Sequence, residues 1–552
     1  ELNPPPDRAA FRAIFAALAS RDQPHAVVVG WVRHAWAARI LVAARVVSTL
    51  PGWRRLVFLT ESDDRALAAL LAIEDLAKPL AEAARPFVGG RADEQFLQWL
   101  QTEPDVPPPA EFIGGSAAFA ERVRDTHRIR IEAALTNRTR LDAVINRQSL
   151  GETLAVLEGI ARGSSPRPLR VLVATSLYSD VVQYAAVDLA DAFKKLGHEV
   201  CLVRESQPGE MIHYQSLTAR TLEFRPDFAF LLNHLRTEAK AFHPQHLPFV
   251  TWIQDELPAL KDKAMIAELG PLDFAYGFSV AVRDIYRNLG YPHVGHLPFA
   301  ISGEGLDDEI PTDCRNEVVF PTHVTKPVEP PYVRGFGDYL EKRFATRRLI
   351  AVSMEPLSKL LDEASAKLNF APMSPSDRQQ AVFYALMFAR RLDRIRIADA
   401  FLDNNLPIAL YGKGWDEIPR FAPHHRGQVP GGAPLRKVLR EHKVVLHRGY
   451  NMHPRLLEGF AVGAFVLSQF ADTDTQPGEI CDQFEVGREV HLFKEPEEMV
   501  RLTHRALSDE PWRREVIEAA RARIRANHTY ASRARTIIED LRIGIASFLA
   551  NT

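Results

Sequence analysis

The stretch KVVLHRGYNMHPRLLEGFAVGAFVLSQ, Lys443 to Gln469, decides how the rest of the chain is read. It opens on an apolar β-type run, Lys443 to Leu446, and closes on another, Ala464 to Leu467. Between them Pro454 starts a short helix, because proline suits the first helical position, where its missing N–H would lack a partner anyway. Leu456, Leu457, Phe460 and Ala461 recur at helical spacing and face a core, which leaves Glu458 off that face. Side chains on a helix lean toward its N-terminus, so Glu458 points back to the Pro454 end.

The same alternation of strand and helix extends outward. LRVLVATS (Leu169 to Ser176) is a continuous apolar run of the kind buried on both faces, followed by the helix DVVQYAAVDLADAFKKLG and the strand HEVCLV. PDFAFLLN, PFVTWIQD, LDFAYGFS and YPHVGHLPFA repeat the pattern of short strands ending in polar loops. A second series, NEVVFPTH, LPIALYGKGW, HHRGQV, KVVLH, GAFVLS and REVHLF, has a helical insertion at about 339–404 after its first strand. Such alternation means parallel, doubly wound α/β sheets. Two of them in tandem bind ligands at the carboxyl ends of their strands, facing a cleft.

Proline clusters at Pro104–Phe112 (PDVPPPAEF), Arg162–Pro168 and Lys326–Gly335 are poor places for a helix or a central strand. They suggest three regions: 1–165, an accessory α/β region ending in a helical connector from about Ala117; 166–305, a first Rossmann-like domain; and 306–552, a second. In the accessory region HAVVVGW and RLVFLT read as strands. Trp36, Ile40, Ala44 and Val47 place an amphipathic helix after the first.

Lys plus Arg total 68 and Asp plus Glu 70, a formal charge of −2, so no global basic field is present to hold a nucleic acid. Cys201, Cys314 and Cys481 form no CxxC pair, which argues against a disulfide framework or zinc site and for a reducing compartment. The most apolar early stretch is broken by Arg33, His34, Arg39 and Arg45, so no transmembrane segment is expected and a cytoplasmic location is.

The free N–H groups at Pro454 offer a site for a pyrophosphate, and a carboxylate one turn deeper can accept from two vicinal ribose hydroxyls. Taken alone, Glu458 reads more readily as a solvated helix acid. His447, Arg448, His453 and Arg455 flank the helix start, where a diphosphate leaving group needs positive charge; Arg448 and His453 are the stronger candidates. Lys413, in YGKGW, follows a buried strand, and its flanking Gly412 and Gly414 allow close backbone approach. Trp415 reads as packing. Asp472 and Asp474 read as loop residues, and no His/Asp/Glu cluster has metal-ligand spacing. At strand ends elsewhere, His234 and Asp255 are candidate general bases, and Tyr178 and Ser179 candidate pocket residues.

LYGKGWDEIP, the Lys443–Gln469 unit, FEVGREVHLF and the closing His528-Thr529-Tyr530-x-x-Arg533, in that order, resemble the group-1 glycosyltransferases, most of all the spore-maturation-protein type. The likeness is good over about Arg390 to Leu541, looser over Leu169 to Ala300, and absent before about 165. It implies a GT-B fold whose C-terminal domain holds a nucleotide-sugar donor and whose N-terminal domain holds the acceptor, with no cofactor and no bound metal. It gives Glu458 the ribose, sets Gly412 and Lys413 at the donor site, and leaves the base to backbone groups of Gly427 to Pro430, including Val429. Related retaining enzymes carry a second Glu where this chain has Tyr450. The loop PTHVTKP also lacks the usual glycines, so either His323 and Lys326 fill that space or the loop is remodelled. Those departures keep open a non-catalytic binding or scaffold module; a nucleotide-sugar epimerase is the lesser alternative. The accessory region suggests a large acceptor, a protein or surface glycan.

Overall fold

The computed structural model describes residues 26–29, 56–60, 84–88, 91–102, 109–113, 117–176, 180–204, 214–239, 244–255, 257–345, 349–350, 354–448 and 452–551. The chain divides into two compact units: Glu1–Thr251 with Asp255–Phe274 and Glu539–Thr552, and Trp252–Gln254 with Ala275–Ile538.

In the first unit, β1 (Ala26–Val29), β2 (Leu56–Thr60), β3 (Ala84–Val88) and β4 (Pro109–Ile113) make a parallel sheet in the order β3-β2-β1-β4. The proline-rich segment thus does carry a strand, but at the sheet edge, where a missing N–H removes no ladder bond. The amphipathic helix expected after β1 lies outside the described residues. The helical connector is two helices, Ala117–Val144 and Arg147–Ala161, the second opened by an Asn146 capping box. Their far ends pack on the next sheet: Leu141 and Ile145 share a core with Leu172, Ala174, Ala229 and Phe249. Asp227 accepts bonds there from Thr153 Oγ1 at 2.9 Å and from the Arg170 N–H at 2.8 Å, and pairs with Arg167 at 2.7 Å.

That sheet comprises β5 (Arg170–Thr175), β6 (Glu199–Arg204), β7 (Phe228–Leu232), β8 (Phe249–Ile253), β9 (Asp273–Gly277) and β10 (His293–His296), ordered β10-β9-β8-β7-β5-β6. The second unit holds β11 (Arg315–Pro321), β12 (Ile408–Tyr411), β13 (His442–His447), β14 (Phe465–Gln469) and β15 (His491–Phe493), all parallel in the order β12-β11-β13-β14-β15. In each sheet the chain runs one way from its first strand and then returns to the other side. The resulting switch points, between β5 and β7 and between β11 and β13, are where open α/β sheets bind ligands.

HHRGQV, expected as a strand, contributes only the bridge Leu410–His425; Pro423 and Gly427, the latter with φ of 88°, confine it. The insertion between β11 and β12 is three helices, Phe336–Phe344, Met354–Leu368 and Pro375–Asp403, with a core of their own around Phe336, Leu340, Leu361 and Ala385. The third continues into the main core through Ile397, Ala398 and Phe401. Among the described residues no helix is long and apolar enough to cross a membrane.

Candidate functional site

The site follows from how β13 and β14 alternate their side chains. Val445 pairs with Val466 and His447 with Ser468. The helix Pro454–Ala461 crosses these strands at Gly459, where a Cβ would stand 2.6 Å from Val466 Cγ2. Period-two alternation therefore turns His447 and Ser468 to the helix side and Arg448 and Gln469 to the other. The contacts agree: the His447 ring lies 5.5 Å from that of His453, which precedes the helix. On the opposite side Arg448 Nη2 donates to Asp393 Oδ2 at 2.7 Å, and Gln469 Nε2 to the same oxygen at 3.3 Å.

Asp393 belongs to the long helix Pro375–Asp403, which the sequence reading treated as an insertion apart from the site. That helix brings two further guanidinium groups. Arg394 donates to the His323 carbonyl at 2.6 Å. Burial, then the Arg448, Arg390 and Arg455 charges, pull its pKa down to about 9; burial and Arg448 bring Arg390 to about 10. Arg455 is also lowered by burial, with Glu458 opposing the shift. Arg394 and Arg390, at about 9 and about 10, remain cations at neutral pH. Two carboxylates, Asp393 and Glu458, stand against them. Like charges crowded out of water are costly unless an anion joins them.

The two histidines do not add to this charge as expected. His453 is the N-cap of the helix, its Nδ1 accepting the Arg455 N–H at 3.2 Å; burial, then Arg455, Arg390 and Arg394, depress it to about 3. His447 is buried and held well below its usual range, first by burial and then by His453, Arg455, Arg448 and Arg394. Both imidazoles are neutral, so the positive field is the arginines'.

Gly412, with φ of 121°, lets the turn after β12 ride on the end of β11: a Cβ there would meet the Thr322 oxygen at 2.4 Å. His323 Nδ1 accepts the Lys413 N–H at 2.8 Å, the Val324 N–H donates to the Lys413 carbonyl at 2.8 Å, and buried Trp415 donates from Nε1 to the Thr322 carbonyl at 2.7 Å. Trp415 is the packing residue expected. PTHVTKP is remodelled: its backbone is engaged with YGKGW and with Arg391 and Arg394, so it needs no glycine. Lys413 is exposed; His323 beside it is lowered first by burial and then by Arg394, Arg455 and Lys413. Val429 is half-buried against the core, and the Gly427 carbonyl accepts the Gly412 N–H at 2.9 Å.

Asp472 and Asp474 form a turn in which Asp474 Oδ2 accepts the Ala471 N–H at 2.8 Å. Beyond it Glu479, buried, accepts a backbone bond from Met452; burial and Asp474 push it up to about 8. Among the described residues no group of His, Cys, Asp and Glu could hold a metal ion. On the six-stranded sheet Asp255 is exposed after β8 and exchanges bonds with Asn233, Nδ2 to Oδ2 and N–H to Oδ1, both 3.0 Å. His234, after β7, sets Nδ1 3.0 Å from Glu238 and is half exposed. Tyr178, Ser179 and Tyr450 lie outside the described residues.

The structure thus brings Glu458, Arg448 and His453 together near the turn of Gly412 and Lys413. It adds Arg390, Asp393 and Arg394, which sequence reasoning missed. One signal was available: Asp393 sits in the apolar stripe Leu386, Ala389, Ile397, Phe401, and an acid there calls for a buried cation.

Two parallel, doubly wound sheets in tandem make the chain an α/β protein and fit a two-domain GT-B fold. Residues 390–539 match the glycosyl transferase-like family, a match that opens at Arg390 and takes in the whole cluster. No curated protein matches the chain. Solved structures similar to it include a glycosyltransferase of Rickettsia africae ESF-5, at 10% identity over 68% of this chain and 99% of that one, TM-score 0.39. Anabaena HepE, solved with UDP and glucose, aligns at 11% identity over 68% and 99%, TM-score 0.39. A UDP-forming α,α-trehalose-phosphate synthase of Burkholderia xenovorans aligns at 13% identity over 68% and 99%, TM-score 0.35.

Proposed function

We propose that the chain is a group-1 glycosyltransferase, nearest the spore-maturation-protein type, that moves a sugar from a nucleotide-sugar to a protein or surface-glycan acceptor in the cytoplasm. One observation carries this reading: four crowded arginines and one helix-borne Glu converge at the carboxyl ends of β11, β13 and β14. A diphosphate supplies the negative charge that Asp393 and Glu458 leave outstanding, and guanidinium forks suit its oxygens. In this scheme Arg448, Arg394 and Lys413 hold the diphosphate, and the neutral His453 donates from Nε2, the nitrogen its capping bond leaves free. Glu458 takes the ribose hydroxyls. Gly412 and the Gly427–Pro430 backbone, with Val429, border the base, and Tyr450 stands on the sugar side. With the arginines balancing the leaving group, catalysis needs neither metal nor cofactor. Asp255 or His234 serves as acceptor base if the anomer is inverted, with Tyr178 and Ser179 lining the acceptor pocket.

The test is release of free nucleoside diphosphate from a panel of UDP-, GDP-, CDP- and dTDP-sugars in EDTA, with and without cell-wall or protein acceptor fractions. Acceptor-stimulated release from one donor, lost in Arg448→Met, supports the reading. Binding without release from any donor favours the scaffold alternative that Tyr450 keeps open.

A further inference from the structure

Three imidazoles surround the candidate donor site, and they differ in what their ring nitrogens can still do. His323 and His453 each spend Nδ1 accepting a backbone N–H, from Lys413 and Arg455 respectively. Each is thereby fixed as the Nε2–H tautomer, and neither can take a second proton without breaking that bond. His447 is different. It is 1% exposed, and among the described residues neither Nδ1 nor Nε2 has a hydrogen-bond partner. A neutral imidazole always carries one donor and one acceptor, so two buried polar groups are left unsatisfied at a cost to the free protein. Its surroundings also lack partners: Arg448 Nε, Arg455 Nε, Arg394 Nε and the neighbouring Ser468 Oγ are buried and unpaired.

The charged groups that act most strongly on His447 share one sign. His453 and Arg455 face it from the helix Pro454–Ala461, Arg448 from its own strand end, and Arg394 from the long insertion helix. The nearby carboxylates, Asp393 and Glu458, are engaged with Arg448 and Arg455. The ring is held neutral first by its burial and then by this positive field.

We propose that His447 is a further contact of the donor's diphosphate and that it takes up a proton as that anion binds. This rests on the donor reading above. The entering phosphate oxygens give the ring nitrogen an acceptor and reverse the sign of the field on it. A buried, partnerless imidazole becomes an imidazolium paired with phosphate. The folded protein with donor bound then holds one proton more than the free protein, so affinity rises as pH falls. The slope reaches at most about tenfold per pH unit, between the ring's bound and free pKa values.

The experiment is titration calorimetry at pH 6.5 with UDP-, GDP- and dTDP-sugars, whose diphosphate diesters do not titrate near that pH. It is run in two buffers of different ionisation enthalpy. Glu479, raised to about 8, stays protonated there and does not contribute. The expected result is a buffer-dependent enthalpy reporting uptake of a substantial fraction of one proton per donor. In His447→Asn it falls to near zero while weaker binding persists. Proton coupling unchanged in that variant, or donor binding with the same enthalpy in both buffers, overturns the proposal and leaves the donor reading intact. Absence of binding by every nucleotide-sugar overturns both. Should His447→Asn not fold, ¹⁵N-histidine spectra of the wild-type protein decide: the His447 nitrogens must move from a neutral to an imidazolium pattern on donor addition, and no change refutes the coupling.

Discussion

Arg394 shows how stability and binding oppose one another in a single side chain. Its half-buried charge is crowded by Arg448, Arg390 and Arg455, so the free protein folds against their repulsion. Removing one charge from a crowded cluster of like charges relieves part of that repulsion, which outweighs the loss of the single bond to the His323 carbonyl. Arg394→Met is therefore expected to raise the melting temperature of the free protein and to abolish stabilisation by donor; a lower melting temperature with donor stabilisation retained contradicts that role. Glu479 makes a second prediction through pH. Its carboxyl rises from 4.5 unfolded to about 8 folded, so the folded state holds the proton more tightly. The stability it contributes is complete below pH 4.5 and is lost as pH rises through about 8. The amide of Glu479→Gln can still accept the Met452 N–H and does not titrate. The variant's stability relative to wild type is expected to grow between pH 5 and pH 8, by up to about 1.4 kcal/mol per pH unit. A constant difference across that range, read by thermal melts, rules the account out.

At the scale of elements, the Pro454–Ala461 helix places the site only because Gly459 lets it lie close on β14. Gly459→Ala puts a methyl 2.6 Å from Val466 Cγ2, so the helix must move or the valine turn. An overpacking cost of roughly 1–3 kcal/mol is expected, together with weaker donor binding from the displaced Glu458. Pairing with Val466→Ala, which removes the clash, is expected to restore binding. This helix was legible in the sequence because proline, apolar spacing and flanking β-runs all reported one local arrangement. β5 and β13 were legible for the same reason: a strand buried on both faces reads as an unbroken apolar run. The contribution of Pro375–Asp403 was not. Arg390 and Arg394 on a charge-rich helix look solvated, and only the tertiary packing turns them inward. Nor could spacing show that His447 and His453 are neutral, because that follows first from their burial in the folded site and only then from the cations gathered around them. HHRGQV failed as a strand because local propensity cannot report that glycine and proline confine it to one bridge.

For the whole molecule, every proposed donor contact lies in the unit Ala275–Ile538, while the four-stranded sheet lies in the other. The connector is shared differently, since Leu141 and Ile145 belong to the core of the six-stranded sheet. A cut that removes the four-stranded sheet must therefore keep residues from 117 onward. Such a truncation is expected to bind donor as the full chain does and to lose transfer to its large acceptor. Equal transfer by both forms, in the release assay, would remove the accessory region from acceptor recognition.

The central claim is that this arginine cluster and Glu458 hold a nucleotide-sugar. It is tested most directly by thermal-shift titration of wild type and Glu458→Ala with UDP, GDP, CDP and dTDP in EDTA. A ligand that binds only the native state raises the melting temperature by mass action, by an amount worth about 2.7 kcal/mol at a hundredfold excess over Kd. The expected result is one nucleotide that stabilises the wild type and leaves Glu458→Ala unmoved. Equal stabilisation of both proteins would take the ribose away from Glu458, and no stabilisation by any of the four would contradict the account.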